Sequence, residues 1–205
     1  MVTNISPDAH KASDFPRGFQ ARNSSPFSLL QTAAIAIVGL IAFSSSSMAA
    51  GPDDAQILGI YIQVNSFDIE TALLGRAQGG SDGVKKLAEH VSSDHLGVRQ
   101  AAQSLATKCN VTPALPTDRN AAMNEHGQAL TTLSSLKGAA FDKAYLEHEV
   151  AFHRGAINAI RTVLLPASTC PALQAHFKEI LPALEQHLAH TEELAKEKGV
   201  KINKM

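Results

Sequence analysis

The sequence has no tryptophan, two tyrosines and two cysteines, and only 5% of its 205 residues are aromatic. Strands draw on aromatic and β-branched side chains, so this poverty, beside abundant Ala, Leu, Gln, Glu and Lys, points to helix and away from a β-rich fold. Positive charge is not in surplus either. The 18 Lys and Arg stand against 19 Asp and Glu, the formal net charge is −1, and no basic tract occurs. A nucleic-acid partner is excluded on that ground, because phosphate binding needs Lys and Arg gathered on one face. Nucleophilic catalysis finds little support. With no phosphate loop and no Gly-x-Gly-x-x-Gly following a strand, nucleotide partners and hydrolase or nucleotide chemistry are set aside.

What is present begins with an export pattern. Lys11, Arg17 and Arg22 precede an apolar run from Ala33 to Phe43, and Ser44-Ser45-Ser46-Ser47-Met48-Ala49-Ala50 follows. Basic residues, a short apolar stretch, then small residues is the layout of a signal peptide. Ser47 and Ala49 occupy the −3 and −1 positions for cleavage after Ala49, and the run is too short to span a bilayer comfortably. No Cys stands directly after it, which argues against a lipoprotein. Residues 1–49 are therefore predicted to be a polar leader and signal peptide, with a periplasmic or envelope-associated mature domain over 50–205. The competing reading is an uncleaved anchor lengthened by Leu29 and Leu30.

Turn signals at Gly79-Gly80-Ser81-Asp82, Pro113 to Asp118, Gly138 and Leu165 to Pro171 divide the mature chain into four long helices. The first is predicted over about Asp53 to Ala77, with Ile57, Ile60, Tyr61, Val64, Phe67, Glu70 and Leu74 at three- and four-residue spacing. The second, about Asp82 to Lys108, is capped by Ser81 or Asp82 and carries His95 within its apolar stripe. The third, about Ala139 to Leu165, has two broad apolar sides and carries Glu149 and His153. The fourth starts near Pro171, carries His187, and stops at Gly199. Pro182 lies inside it, and either a kink or a break at Leu181 would accommodate the missing hydrogen bond.

Between the second and third helices lie residues 110–138, with a weaker amphipathic stretch from Asp118 to Leu136. A helix of about 25 residues is roughly 37 Å long, and this connection is long enough to climb the bundle. The expected fold is all-α, a ferritin-like four-helix bundle with one long crossover between helices 2 and 3. That order puts Cys109 and Cys170 at the same end, whereas a simple up-down-up-down order separates them by the bundle's length. A Cys109–Cys170 disulfide is predicted, with two separate buried thiols as the alternative. Cysteines so far apart, without a Cys-x-x-Cys, give no zinc-cluster or thioredoxin-like signal.

Several stretches together carry a family resemblance: Phe67-Asp68-Ile69-Glu70, Ser93-Asp94-His95, Leu136-Lys137-Gly138-Ala139-Ala140-Phe141-Asp142-Lys143-Ala144-Tyr145, His153, and Leu181-Pro182-Ala183-Leu184-Glu185-Gln186-His187. Over about Asp54 to Lys198 the chain resembles the bacterial ferritin-like domain of unknown function numbered 4142, whose members are often labelled membrane or outer-membrane proteins. The resemblance implies a periplasmic or envelope-associated helical bundle with no established activity.

Chemistry has to be argued from the residues. Glu70, His95, Glu149 with His153 at helical i, i+4 spacing, and His187 give every long helix at least one inward-facing ligand atom. Bundle-core metal sites are built this way, and carboxylates with imidazoles suit iron, manganese, zinc or copper better than calcium. Desolvating such groups costs several kcal/mol unless a metal or mutual hydrogen bonds compensate. The pattern departs from di-iron sites, which use Glu-x-x-His on two helices: Ser92 precedes His95 by three residues, and Leu184 precedes His187. His90, His126, His148, His176 and His190 are expected to be exposed or half-exposed helix residues, with His148 and His190 kept only as reserve ligands. Three functions compete: a metal-binding bundle, a metal-dependent oxidoreductase that presupposes the metal, and a non-catalytic envelope interaction module with a polar core network.

Overall fold

The computed structural model describes residues 51–202. The predicted leader, its cleavage site and residues 203–205 lie outside them. The order of elements is α1 (Asp54–Gln78), α2 (Asp82–Cys109), α3 (Arg119–Ser134), α4 (Gly138–Ala159), a π-helical segment (Ile160–Leu164), the single turn α5 (Leu165–Ala167) and α6 (Pro171–Glu197). Among the described residues there is no strand, and the fold is all-α.

Each start and stop has a local cause. The Asp53 carboxylate accepts from the Gln56 backbone N–H at 2.8 Å and the Gln56 side chain accepts from the Asp53 N–H at 3.2 Å, a reciprocal cap that fixes the start of α1. Asn110 ends α2 in the left-handed conformation, φ 53°, which Asn tolerates better than most residues. The third long helix departs from its prediction at its far end. Pro166 has no N–H to offer the carbonyl four residues back, and the chain widens there: the Leu165 N–H bonds the Ile160 carbonyl, five residues away. Pro182 neither breaks nor ends α6. It sits at an exposed position, where water can serve the carbonyl left without a donor.

Two sets of contacts identify the ends of the bundle. At one end the Asp54 carboxylate accepts from the Ser168 hydroxyl at 2.6 Å and from the Thr169 hydroxyl at 2.6 Å. Beside them Cys109 and Cys170 form the expected disulfide, with Cα atoms 5.6 Å apart. At the other end the Gly80 N–H donates to Asp142 at 2.6 Å, and Gly79 forms a backbone bridge with Gly138. Hence α1 and α6 run from the disulfide end to the glycine end, and α2 and α4 both run back. The parallel course of α2 and α4 demands the crossover, and α3 supplies it by climbing beside α1. Before α3, the Ala114 N–H bonds the Ala55 carbonyl at 3.0 Å, and a Cβ on Gly59 would stand 2.1 Å from the Ala114 oxygen. Only glycine lets the crossover lie this close to α1.

The core divides along its length. Near the disulfide end, Ile57, Leu58, Tyr61, Ala102, Leu105, Leu164, Leu173 and Phe177 pack together. Toward the glycine end, Ala72, Val84, Leu87, Val91, Leu133, Phe141, Tyr145 and Leu146 form a second cluster. On every long helix the residues between the two clusters are polar and buried: Asn65 and Asp68 on α1, Ser92 and His95 on α2, His148, Glu149 and His153 on α4, and His187 and Thr191 on α6.

Candidate metal centre

The polar layer is organised around three imidazole rings. His95, His153 and His187 come from α2, α4 and α6, their ring centroids lie 5.5 to 5.7 Å apart pairwise, and each offers a nitrogen within 4.8 Å of the other two. A carboxylate from α1 lies beside two of them. Asp68 Oδ2 is 3.0 Å from His95 Nε2 and 3.7 Å from His153 Nε2. One donor thus comes from each long helix.

Which nitrogen of each ring is free follows from what holds the other. Asn65 donates its Nδ2 to the Tyr61 carbonyl at 2.8 Å, so its Oδ1 is the atom facing His95 Nδ1, also at 2.8 Å. An oxygen there requires a proton on His95 Nδ1 and leaves Nε2 for the centre. His153 Nδ1 donates to the Glu149 carbonyl at 3.0 Å, and its Nε2 has no hydrogen-bond partner among the described residues. His187 Nε2 faces the Asp94 carboxylate at 3.0 Å, and its Nδ1 is buried without a partner. Metal-ligating histidines are held by such outer acceptors, which set the tautomer and aim the ring.

Burial and neighbouring charge set the protonation states. Burial alone would raise the Asp68 carboxyl, but the His95 and His153 rings beside it hold it well below the usual carboxylate range. Burial likewise opposes a charge on His95, yet Asp68 outweighs it and lifts the ring above the ordinary histidine value. Without an ion the two therefore form a buried ion pair. Burial pushes His153 down and His187 down to about 4, which keeps both rings neutral and competent as ligands. Glu149 is raised well above its ordinary value by complete burial and by the Asp68 charge next to it. Both effects favour its protonated form beside the Asp68 carboxylate. Asp68, Glu149 and His153 form a second group of close ligand atoms. His148 adjoins it, fully buried with neither nitrogen partnered among the described residues, and burial drives it down to about 4. Toward the disulfide end the layer borders an apolar cavity of about 30 Å³ lined by Ile60, Val64, Val98, Ala156 and Leu184, with Asp68, His95 and His153 at its edge.

Of the five predicted ligands, the structure gathers His95, Glu149, His153 and His187 into this layer and sets Glu70 apart. The Glu70 side chain is half exposed on another side of α1 and accepts from His126 Nε2 at 2.8 Å. Asp68 takes its place, because two residues along a helix turn the side chain roughly 200° about the axis. His126 and His148, expected to be exposed or half-exposed, are buried: His126 stacks on Phe67 with ring centroids 4.1 Å apart. Asn65, Asp68 and Asp94, which the structure brings to the three rings, were not singled out from the sequence as candidate site residues. For the first two a signal existed, since Tyr61, Asn65, Asp68, Ala72 and Gly75 continue one stripe at alternating four- and three-residue steps. The sequence does contain a Gly-x-Ser-x-Gly, at Gly79-Gly80-Ser81-Asp82-Gly83, the spacing of a hydrolase nucleophile elbow. Here it is a turn between two helices, not the strand-to-helix turn that exposes such a serine.

No curated protein matches the sequence. Among solved structures, the fold is similar to that of a DUF305 protein from Streptomyces coelicolor described as secreted, with a TM-score of 0.60 at 15% identity, covering 74% of this chain and 97% of that one. This likeness concerns the fold alone. The family model for DUF4142, a domain of unknown function, matches residues 42–194, and the chain therefore belongs to the DUF4142 family.

Proposed function

We propose that this protein binds a divalent first-row transition ion in the core of its bundle, with His95, His153 and His187 as nitrogen donors and Asp68 as the oxygen donor. One observation carries the reading: each of the three rings has one nitrogen tied to an outer oxygen, while His153 Nε2, His187 Nδ1 and Asp68 Oδ1 stay buried without hydrogen-bond partners and His95 Nε2 meets only the Asp68 carboxylate. Leaving polar atoms unsatisfied in a native core is costly, and an ion at the centre gives the inward nitrogens of the rings and the Asp68 carboxylate a common partner. Three imidazoles and a carboxylate suit zinc or copper, ions that favour nitrogen donors, over calcium or magnesium. Glu149 and His148 stand ready as further donors beside Asp68. The signal-like sequence ahead of the bundle supports export, and no helix among the described residues is long and apolar enough to cross a membrane. The role is therefore metal handling in the cell envelope. A second reading, a metal-free polar layer that fixes the register of the helices, is favoured by the Asp68–His95 ion pair, which satisfies part of the layer internally.

The two readings separate in one experiment. Protein purified without chelator is analysed for metal and titrated with zinc, copper, iron and manganese, beside a His95→Ala, His187→Ala double variant. About one ion per chain in the parent and none in the variant is the expected result. A parent that binds none of the four ions would overturn the metal reading and leave the structural layer.

A further inference from the structure

His187 faces two ways. One of its nitrogens belongs to the core layer, and the other meets a pair of side chains at the surface. Asp94 Oδ2 lies 3.0 Å from His187 Nε2 and 3.5 Å from His90 Nε2, and the His90 ring centroid is 5.3 Å from that of His187. The side chains of His90 and Asp94 are 58% and 45% exposed, against 7% for His187. Ligand atoms of His90, Asp94 and His187 lie within 4.8 Å of one another, as do those of His95, His153 and His187 in the core. Elsewhere the surroundings are apolar: the two clusters lie above and below, the cavity that reaches Asp68, His95 and His153 is otherwise lined by apolar side chains, and on the α3 side Phe67, Phe152 and Ala122 pack together.

We propose that His90, Asp94 and His187 form a surface acquisition site, through which a hydrated divalent transition ion is captured and passed to the core by ligand exchange at His187. This rests on the core-site reading above and adds the route to it. An ion crossing an apolar shell would have to shed its water with nothing in return, at a cost of many kcal/mol. Along this line each step exchanges one bound water for one side-chain donor. His90 and Asp94 take the ion from solvent, His187 joins through Nε2 as the proton on that nitrogen leaves to water, and a turn of the imidazole about its Cβ–Cγ bond carries the ion to His153, Asp68 and His95, whose Nε2 proton is released in turn. The surface group, with one carboxylate and two imidazoles half open to water, holds an ion weakly and exchanges it quickly. The core group, closed and with four donors, holds it tightly.

The test is the rate of loading, not its extent. Metal-free protein is mixed with zinc in a stopped-flow instrument in the presence of a zinc-responsive dye, and uptake and release are timed for the parent, His90→Ala and His190→Ala. His190 is an exposed histidine on α6 that serves as the control. Expected is a slowing of uptake by about tenfold or more in His90→Ala, with the equilibrium stoichiometry and dissociation constant unchanged. Release must then slow by the same factor, since a route that leaves the end states alone acts equally in both directions. His190→Ala should match the parent. Unchanged loading in His90→Ala, in a protein that binds zinc normally, overturns the acquisition site and leaves the core site standing. A weakened dissociation constant with an unchanged uptake rate also overturns it, because His90 would then support the bound state. A parent that binds no zinc at all removes the core site itself, and this route with it.

Discussion

Replacing Asn65 with Leu tests whether the outer hydrogen bonds prepare the rings for an ion. In the parent, Asn65 Oδ1 fixes the proton on His95 Nδ1 and so frees Nε2. Leu fills most of the same space but offers no acceptor, and His95 is then as well off with its proton on the nitrogen that should bind metal. Loss of an outer partner of this kind costs about 10- to 100-fold in metal affinity. At an ion concentration 1,000 times the parent's dissociation constant, binding stabilises the parent by about 4 kcal/mol, and the variant by roughly 1.4 to 2.7 kcal/mol. For a domain of this size 1 kcal/mol moves the melting temperature by about 3 °C, so the metal-induced rise should be about 12 °C in the parent and roughly 4 to 8 °C in Asn65→Leu. Thermal unfolding followed by far-ultraviolet circular dichroism, with chelator and with zinc, measures both rises. The increment is the readout, because the metal-free variant starts lower for leaving the His95 Nδ1–H without an acceptor. An increment equal to the parent's would refute the tautomer argument, even if zinc still binds.

Four further outcomes are expected. Asp68→Asn should abolish or severely weaken zinc binding in a calorimetric titration, whereas Glu70→Gln, aimed at His126, should leave it within about twofold; the reverse order would return Glu70 to the site. Cys109→Ser with Cys170→Ser opens a loop with a sequence separation of 61 residues and should lower stability in urea by about 4 kcal/mol in the chain-entropy model. Gly59→Ala, normally favourable in a helix, should destabilise by about 1 to 3 kcal/mol because its methyl meets the Ala114 carbonyl; a gain in stability would show that the crossover can move. Metal-free protein should lose stability in acid. His148 titrates near 6.5 when unfolded but at about 4 when folded, so its stabilisation is complete above pH 6.5 and lost as pH falls toward 4, by roughly 3 kcal/mol. His95, raised by Asp68, runs the other way, its contribution full below pH 6.5 and lost as pH rises through its folded value. His148→Leu should therefore flatten the profile between pH 7 and 4, and parallel curves for the two proteins would contradict this.

The sequence made the long elements legible because their boundaries are chemical. Gly79-Gly80, Asn110, Gly138 and Pro171 mark stops and starts that no packing needs to decide, and two cysteines in an export-like chain fixed which ends must meet. The histidines 95, 153 and 187 stood out because each interrupts an apolar stripe. Asp68 did not, for a reason that lies in α1 itself. That helix is covered by α2, α3 and α4, so it is buried on several sides and its apolar positions define no single face. A stripe drawn through Phe67 leads to Glu70, and one drawn through Tyr61 and Ala72 leads to Asp68. The small residues Ala72 and Gly75 favour the second: a Cβ on Gly75 would lie 2.8 Å from the buried Tyr145 ring of α4. His126 was misread because α3 was taken for a weak connecting stretch, while it covers Phe67. Asp94 carries no periodic signal at all, being a surface carboxylate whose importance comes from the ring it meets.

The division of the core into two apolar clusters makes the molecule two short bundles stacked end to end, with every long helix passing through both. Their junction is the layer of rings and carboxylates, where the metal-free protein has unsatisfied atoms in place of tight apolar contact. Amide hydrogen exchange should therefore distinguish two separately opening halves in the metal-free protein. With an ion gripped by all four helices at the junction, opening one half pulls on a ligand shared with the other, and the two should exchange as one. Cooperativity in this fold is then set at the waist, by what the layer holds.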